Sequence, residues 1–215
     1  MALGKIDVEQ AAYESIKTFD NFEIRLYAEA AAVDTPYEGS VFGADHNKSF
    51  QKLASYIGVF GNPQNTRKHE NAAEQIAMTA PVLTSTIRNV SEQIAMTAPV
   101  LNTKTDKQII SFILPSKYTV NTAPLPLDPD VTLRKIPERF CAVVRFSGAC
   151  DDDTVKEKAA ILLEYLKNNS IEPIIEVKEK LEKGEQYWEF ARYNPPWTPP
   201  LLRTNDVMIP IEYCK

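Results

Sequence analysis

Apolar and polar positions alternate along most of this chain, and at two places the period lengthens to that of a helix. Residues 12–18 and 22–27 flank Asp20-Asn21, a pair suited to a hairpin turn, and read as two strands. Residues 30–35 continue the sheet. Over residues 45–57, Phe50, Leu53 and Ile57 fall at i, i+3 and i+7 with Ala54 beside them, which is one face of a helix. Asp45 is expected to cap it, because a carboxylate there can accept from the free amides of the first turn. Gly58 and Gly61-Asn62-Pro63 stop it. Residues 62–74 are polar and read as loop.

Residues 108–114 form the next convincing strand. After a proline-rich link at 124–129, residues 131–136 and 140–147 read as a strand pair. Asp151-Asp152-Asp153-Thr154 opens a second helix, with negative charge where the helix dipole favours it. Val155, Ala159, Leu162, Leu163 and Leu166 are its buried stripe, and Asn168-Asn169 end it. Residues 175–185 are rich in Glu and Lys and suit a solvated helical extension. Residues 187–193 and 206–211 are the last strands. Strands, helix, strands therefore occur twice. This order predicts an α+β fold: a curved antiparallel sheet or distorted β-barrel, flanked by two helices.

Two local features stand apart from this pattern. Residues 74–83 (EQIAMTAPVL) recur unchanged as residues 92–101. Only one copy can fill a given strand position. The second copy lies closer to the strand at 108–114, so residues 74–91 are expected to be a duplicated insertion. The other feature is Pro195, Pro196, Pro199 and Pro200, which surround Trp197 and Thr198. Four fixed φ angles and four missing donors exclude helix interior and central strand there, leaving a stiff extended run.

Composition narrows the function classes. With 215 residues, the chain can bury a full core, and no apolar stretch reaches membrane-spanning length. A net charge of −5 disfavours nucleic acid as a partner, since such binding needs basic surface. The N-terminus resembles neither a secretory signal nor a transit peptide, and Cys141, Cys150 and Cys214 lack metal spacing; both suit reduced thiols in the cytoplasm. No nucleophile elbow, phosphate loop or dinucleotide fingerprint occurs. Of the two histidines, His69 lies in the polar loop and His46 in the first turn of the first helix. Imidazole is a usual axial ligand of heme iron, so His46 is the candidate metal ligand, against the simpler reading of an exposed helix-start residue. Met78 and Met96 are thioethers better read as core.

Five blocks in order resemble the SOUL heme-binding family, and most closely its plant cytosolic branch: FEIRLY at 22–27, FQKLASYIG at 50–58, IAMTAPV at 94–100, FILPSKY at 112–118 and YNPPWTPPLLRTNDVMIPI at 193–211. The resemblance covers residues 6–213 as a single domain. It implies a distorted barrel flanked by two helices, with internal pseudo-twofold symmetry. It also implies a soluble, non-enzymatic carrier or buffer of heme, or of other porphyrins, held as a reversible ligand in a groove between the first helix and the proline-rich loop. The family's axial histidine position is Leu26 here. The family's groove positions become Asn47, Phe50, Ala54 and Ser55 on the helix and Trp197 and Thr198 on the loop. Three of its basic positions are lost at Asn47, Ser55 and Thr198, so the propionates fall to Lys48, Lys52 or Arg203. Two other classes compete. One is a protein-interaction module that uses the duplicated strand segment. The other is a small-molecule effector-binding or hydrolase-like domain, with Glu23, Glu189 or Tyr193 facing its pocket.

Overall fold

The computed structural model describes residues 5–68, 70, 72–86, 108–195 and 197–213. The first half contains β1 (Glu9–Gln10), β2 (Tyr13–Thr18), β3 (Glu23–Tyr27), β4 (Ala30–Tyr37), α1 (Ala44–Ile57), β5 (Asn65–Thr66), β6 (Thr79–Ala80), β7 (Val82–Ser85) and β8 (Gln108–Ile113). The second contains β9 (Leu125–Pro126), β10 (Thr132–Ile136), β11 (Arg139–Ser147), α2 (Asp152–Asn168), α3 (Ile175–Glu182), β12 (Glu189–Arg192), a 3-10 turn at Pro200–Leu202 and β13 (Thr204–Pro210).

Nine strands form one antiparallel sheet in the order β10-β4-β8-β7-β12-β13-β11-β3-β2. Leaving aside β2, this order is symmetric about the β7–β12 seam. Units β3-β4-α1-β7-β8 and β10-β11-α2-β12-β13 correspond element by element, and each lends its first strand to the other. The sheet curls into a half-barrel, as the strand–helix–strand order anticipates.

Alternation along the strands produces two buried faces. On the first, Ile24, Val33, Ile110, Phe112, Phe190, Val207 and Ile209 meet Leu53, Ala54 and Ile57 of α1 and Val155, Ala159, Leu162 and Leu166 of α2. On the second, Tyr27, Ala32, Leu83, Ile113, Cys141, Val143, Ala191, Tyr193 and Met208 pack together. That second face also buries paired charges. Asp206, fully buried, accepts from Arg25 at 2.8 Å, from Arg145 at 2.8 and 2.9 Å and from the Tyr193 hydroxyl at 2.7 Å. Arg139 holds Glu189, and Arg134 holds Asp34.

Three expectations need correction. Asp45 does not cap α1. Gly43 occupies the cap position, and the Asp45 carboxylate accepts from the Glu38 amide at 2.9 Å instead. At the other end, Gly58 does stop the helix: its φ is +85°, and a Cβ there would lie 2.6 Å from the Pro63 ring. The second correction concerns the repeat. The first copy supplies β6 and the first two residues of β7, and β7 is hydrogen-bonded to β8 on one side and to β12 on the other. The first copy is therefore part of the central sheet rather than an added loop, while residues 92–101 lie outside the described residues. Third, the helical extension is only partly solvated, because α3 buries Val177 and Lys180.

Candidate functional site

At the seam, β7 and β12 place Val82 opposite Arg192 and Thr84 opposite Phe190. Thr84 and Arg192 meet α1 on the helix side through His46. The N-terminal ends of α1 and α2 approach each other there, and the Val41 amide donates to the Asp152 carboxylate at 3.1 Å.

His46 sits in the first turn of α1 and is 1 % exposed, which corrects the expectation of an exposed helix-start residue. Its Nε2 lies 3.1 Å from Arg192 Nη2 and 3.5 Å from Thr84 Oγ1, and its ring stands edge-on to Tyr37 at 4.8 Å. A guanidinium only donates, so Nε2 accepts and the proton of the neutral ring sits on Nδ1. That Nδ1 is buried without a hydrogen-bond partner among the described residues. Burial, followed by the neighbouring Arg192 charge, pushes His46 down to about 3, so the ring is neutral near pH 7. Its Nε2 lone pair points at Arg192, and iron could use it only by displacing that contact. Among the described residues no cluster of His, Cys, Asp and Glu has a metal-binding arrangement.

The proline-rich loop presents apolar surface outward. Trp197 is 81 % exposed and Leu201 86 %, with Leu202 partly exposed beside them. Thr198 is buried beneath, and its carbonyl accepts from Arg203 Nε at 2.9 Å, tying the loop to the start of β13. Arg203 in turn lies close enough to Arg192 to disfavour its positive charge. Thr198, Arg203, Arg192 and His46 thus follow one another from the loop to α1.

The helix residues divide differently. Ala54 is buried, and half-buried Phe50 turns edge-on to Phe112 at 5.1 Å, so both belong to the helix–sheet core. Asn47 and Lys48 are exposed and Ser55 is half-buried. Lys52 is bonded to Asp130. Leu26 is half-buried in β3, paired across the sheet with Phe140 and Glu14. Glu23 accepts from Arg25 at 2.7 Å, Glu189 holds Arg139 and Tyr193 donates to Asp206, so each is engaged in a charge network of the second face. His69 and Met96 lie outside the described residues. Met78 is half-buried against the core.

A cavity of about 120 Å³ lies on the second face, lined among others by Tyr27, Leu83, Ile113, Ile136, Arg139 and Met208. Pockets for drug-sized ligands span roughly 300–1,000 Å³, so a tetrapyrrole does not fit inside it. The exposed apolar surface lies instead at the Trp197 ring and the neighbouring Leu201 and Leu202, with the half-buried Arg203 and Arg192 behind them. Sequence reading missed Arg192. Its one signal was alternation, which places it on the same face as Phe190 at the end of the strand entering the proline run.

Fold and surface together define a class: an internally duplicated α+β half-barrel with helices on one face and an exposed apolar loop beside them. The solved structures it resembles share that fold. One is a hydrolase from Listeria innocua, at 10% identity over 92% of this chain and 94% of that chain, TM-score 0.51. Another is an uncharacterized conserved protein from Listeria innocua, at 12% identity over 89% and 92%, TM-score 0.53. A third is EcmrR in a complex with DNA, at 9% identity over 94% of this chain and 58% of that chain, TM-score 0.53. No curated protein matches. The sequence family described as SOUL heme-binding protein matches residues 8–210, and the chain belongs to that family. No helix among the described residues is long and apolar enough to cross a membrane.

Proposed function

We propose that this protein binds heme or a related tetrapyrrole reversibly, as a carrier or buffer and not as an enzyme. The ligand lies between the N-terminal part of α1 and the proline-rich loop. The observation that carries this reading is Trp197: a large ring 81 % exposed on a backbone stiffened by prolines, beside the exposed Leu201. Exposed apolar surface of that kind marks interaction sites, and a pre-placed flat ring suits a macrocycle at little entropic cost. Asn47, the half-buried Phe50 and Ser55 form the helix border and Trp197 the loop border, while Ala54 and Thr198, both buried, are set behind that surface. Arg203 is the cation nearest the loop, with Lys48 and Lys52 along the helix rim. A plant cytosolic-type protein in the cytoplasm is the setting we propose, and the net charge of −5 supports a ligand other than nucleic acid.

The test is titration of the purified protein with hemin and with metal-free protoporphyrin. Both should bind, because neither Leu26 nor His46 offers the iron a ready ligand. Trp197→Ala should weaken both by roughly 1–3 kcal/mol, the loss of one large apolar contact, with the melting temperature unchanged because the ring is exposed. A Trp197→Ala protein that binds both as the wild type does places the ligand elsewhere. The cavity on the second face supports one alternative, a small-molecule effector site. Binding of a small aromatic probe there, unaffected by Trp197→Ala and blocked by Met208→Trp, would favour it.

A further inference from the structure

Among the described residues, the arginines that reach the buried carboxylates of the sheet are paired, and Arg192 is the exception. Arg25 and Arg145 share Asp206, Arg139 holds Glu189 and Arg134 holds Asp34. Arg192 has no ion pair with a carboxylate among the described residues. One of its Nη atoms meets the neutral ring of His46 at 3.1 Å, and its guanidinium carbon lies 5.6 Å from the Phe42 ring centre. Neither neighbour brings negative charge. The consequence is visible in the electrostatics: the guanidinium charge is disfavoured by burial and by Arg203, whereas the pairing carboxylates hold Arg25, Arg139 and Arg145 firmly charged. A guanidinium stays charged regardless, so among the described residues this cation has no counter-charge.

Such a group costs stability and persists where something outside the chain completes it. The surroundings say what that is. Arg192 is half-buried rather than sealed, Arg203 adds a second positive charge on the loop side, and the N-terminus of α1 lies above, contributing through His46. His46 is held neutral, so it accepts one guanidinium N–H and fixes the orientation of the rest. A planar acceptor with a negative charge fits the remaining N–H groups in the bidentate geometry that arginine prefers.

We infer that Arg192, oriented by His46, is the seat for a carboxylate of the bound ligand, in the proposed function one propionate of the tetrapyrrole. This rests on the reading above that the ligand is a tetrapyrrole. It assigns the acid end of the ligand to the sheet seam, and it places the ring over Trp197. Arg192 acts as a specificity-determining residue: it selects the free diacid over uncharged analogues.

The experiment compares metal-free protoporphyrin with its dimethyl ester, which keeps the ring and removes both charges. The proteins are the wild type, Arg192→Gln and Arg192→Lys. The wild type should prefer the diacid by at least tenfold. Arg192→Gln should lose about tenfold in diacid affinity and nothing for the ester, and Arg192→Lys should recover part of the loss. Thermal melts of the ligand-free proteins supply a second readout: Arg192→Gln should melt at the wild-type temperature or above, since it removes an uncompensated cation. Three results overturn the inference: unchanged diacid preference in Arg192→Gln, equal loss for diacid and ester, or a sharply lowered melting temperature. A wild type that binds neither compound overturns the tetrapyrrole reading itself, while a Trp197→Ala effect with no Arg192 effect leaves that reading standing and removes only this one.

Discussion

Acid should destabilise this protein through the buried imidazole of His46. A histidine titrates ordinarily near 6.5, and within the fold His46 is held down to about 3 by burial and by Arg192. Between those values the unfolded chain binds a proton that the native chain refuses. Stability is therefore highest above pH 6.5, and it falls by about 1.4 kcal/mol per pH unit as the pH drops, until about pH 3. Because the residue is 1 % exposed, solvent screening reduces the effect little. From pH 7 to pH 5 the expected loss is roughly 2 kcal/mol. With a urea slope of about 2 kcal/mol/M, that moves the unfolding midpoint down by about 1 M. That window lies above the range where Glu9, Glu74 and Asp151 titrate, since hydrogen bonds lower all three. The assay is urea unfolding of wild type and His46→Gln at both pH values. Glutamine keeps an acceptor for Arg192 and cannot take a proton, so its midpoint should be nearly independent of pH in this window. If wild type and His46→Gln lose the same stability between pH 7 and pH 5, the imidazole is not held neutral in the fold and the argument fails.

Three other outcomes follow from the same geometry. Asp206→Ala strips the counter-charge from Arg25 and Arg145 in a buried site and should cost about 3–5 kcal/mol in chemical denaturation, against less than 1 for Glu38→Ala at the surface. Leu83→Asp puts an unpaired charge into β7 and should destabilise the domain by about 3 kcal/mol or more; stability equal to wild type would mean that residues 92–101 take that strand position instead. Hemin added to the protein should give a broad, high-spin absorption spectrum, and His46→Gln should change its affinity by less than about tenfold, or 1.4 kcal/mol; a sharp low-spin spectrum abolished in the variant would identify His46 as an iron ligand.

Periodicity alone carried most of the secondary structure. The observed Glu23–Tyr27, Thr132–Ile136, Ala44–Ile57 and Asp152–Asn168 all fall within two residues of their expected spans, because each buries one face and its spacing records which face. The doubled strand–helix–strand order likewise foretold the curved antiparallel sheet with its helices, since each helix must cover the strands beside it. Residue type alone excluded helix interior and central strand for the proline run, but it folds as turns, with the Thr198 amide donating to the Pro195 carbonyl and a 3-10 turn at Pro200–Leu202, rather than as one extended segment.

Tertiary structure decided the rest, for reasons that local sequence does not encode. Two identical decapeptides have identical propensities, so only sheet pairing could assign Val82 and Leu83 to the slot between β8 and β12. Asp45 had the chemistry of a cap, but the nearby Glu38 amide took its carboxylate. His46 shares a helical face with Ser49, Leu53 and Ile57, which hinted at burial, yet its neutrality depends on Arg192, which is 146 residues away in the chain. Arg192 itself reads in sequence like any strand-end arginine. What sets it apart is that Asp206, Glu189 and Asp34 are taken by other arginines, and that pairing exists only once the sheet has brought distant strands together.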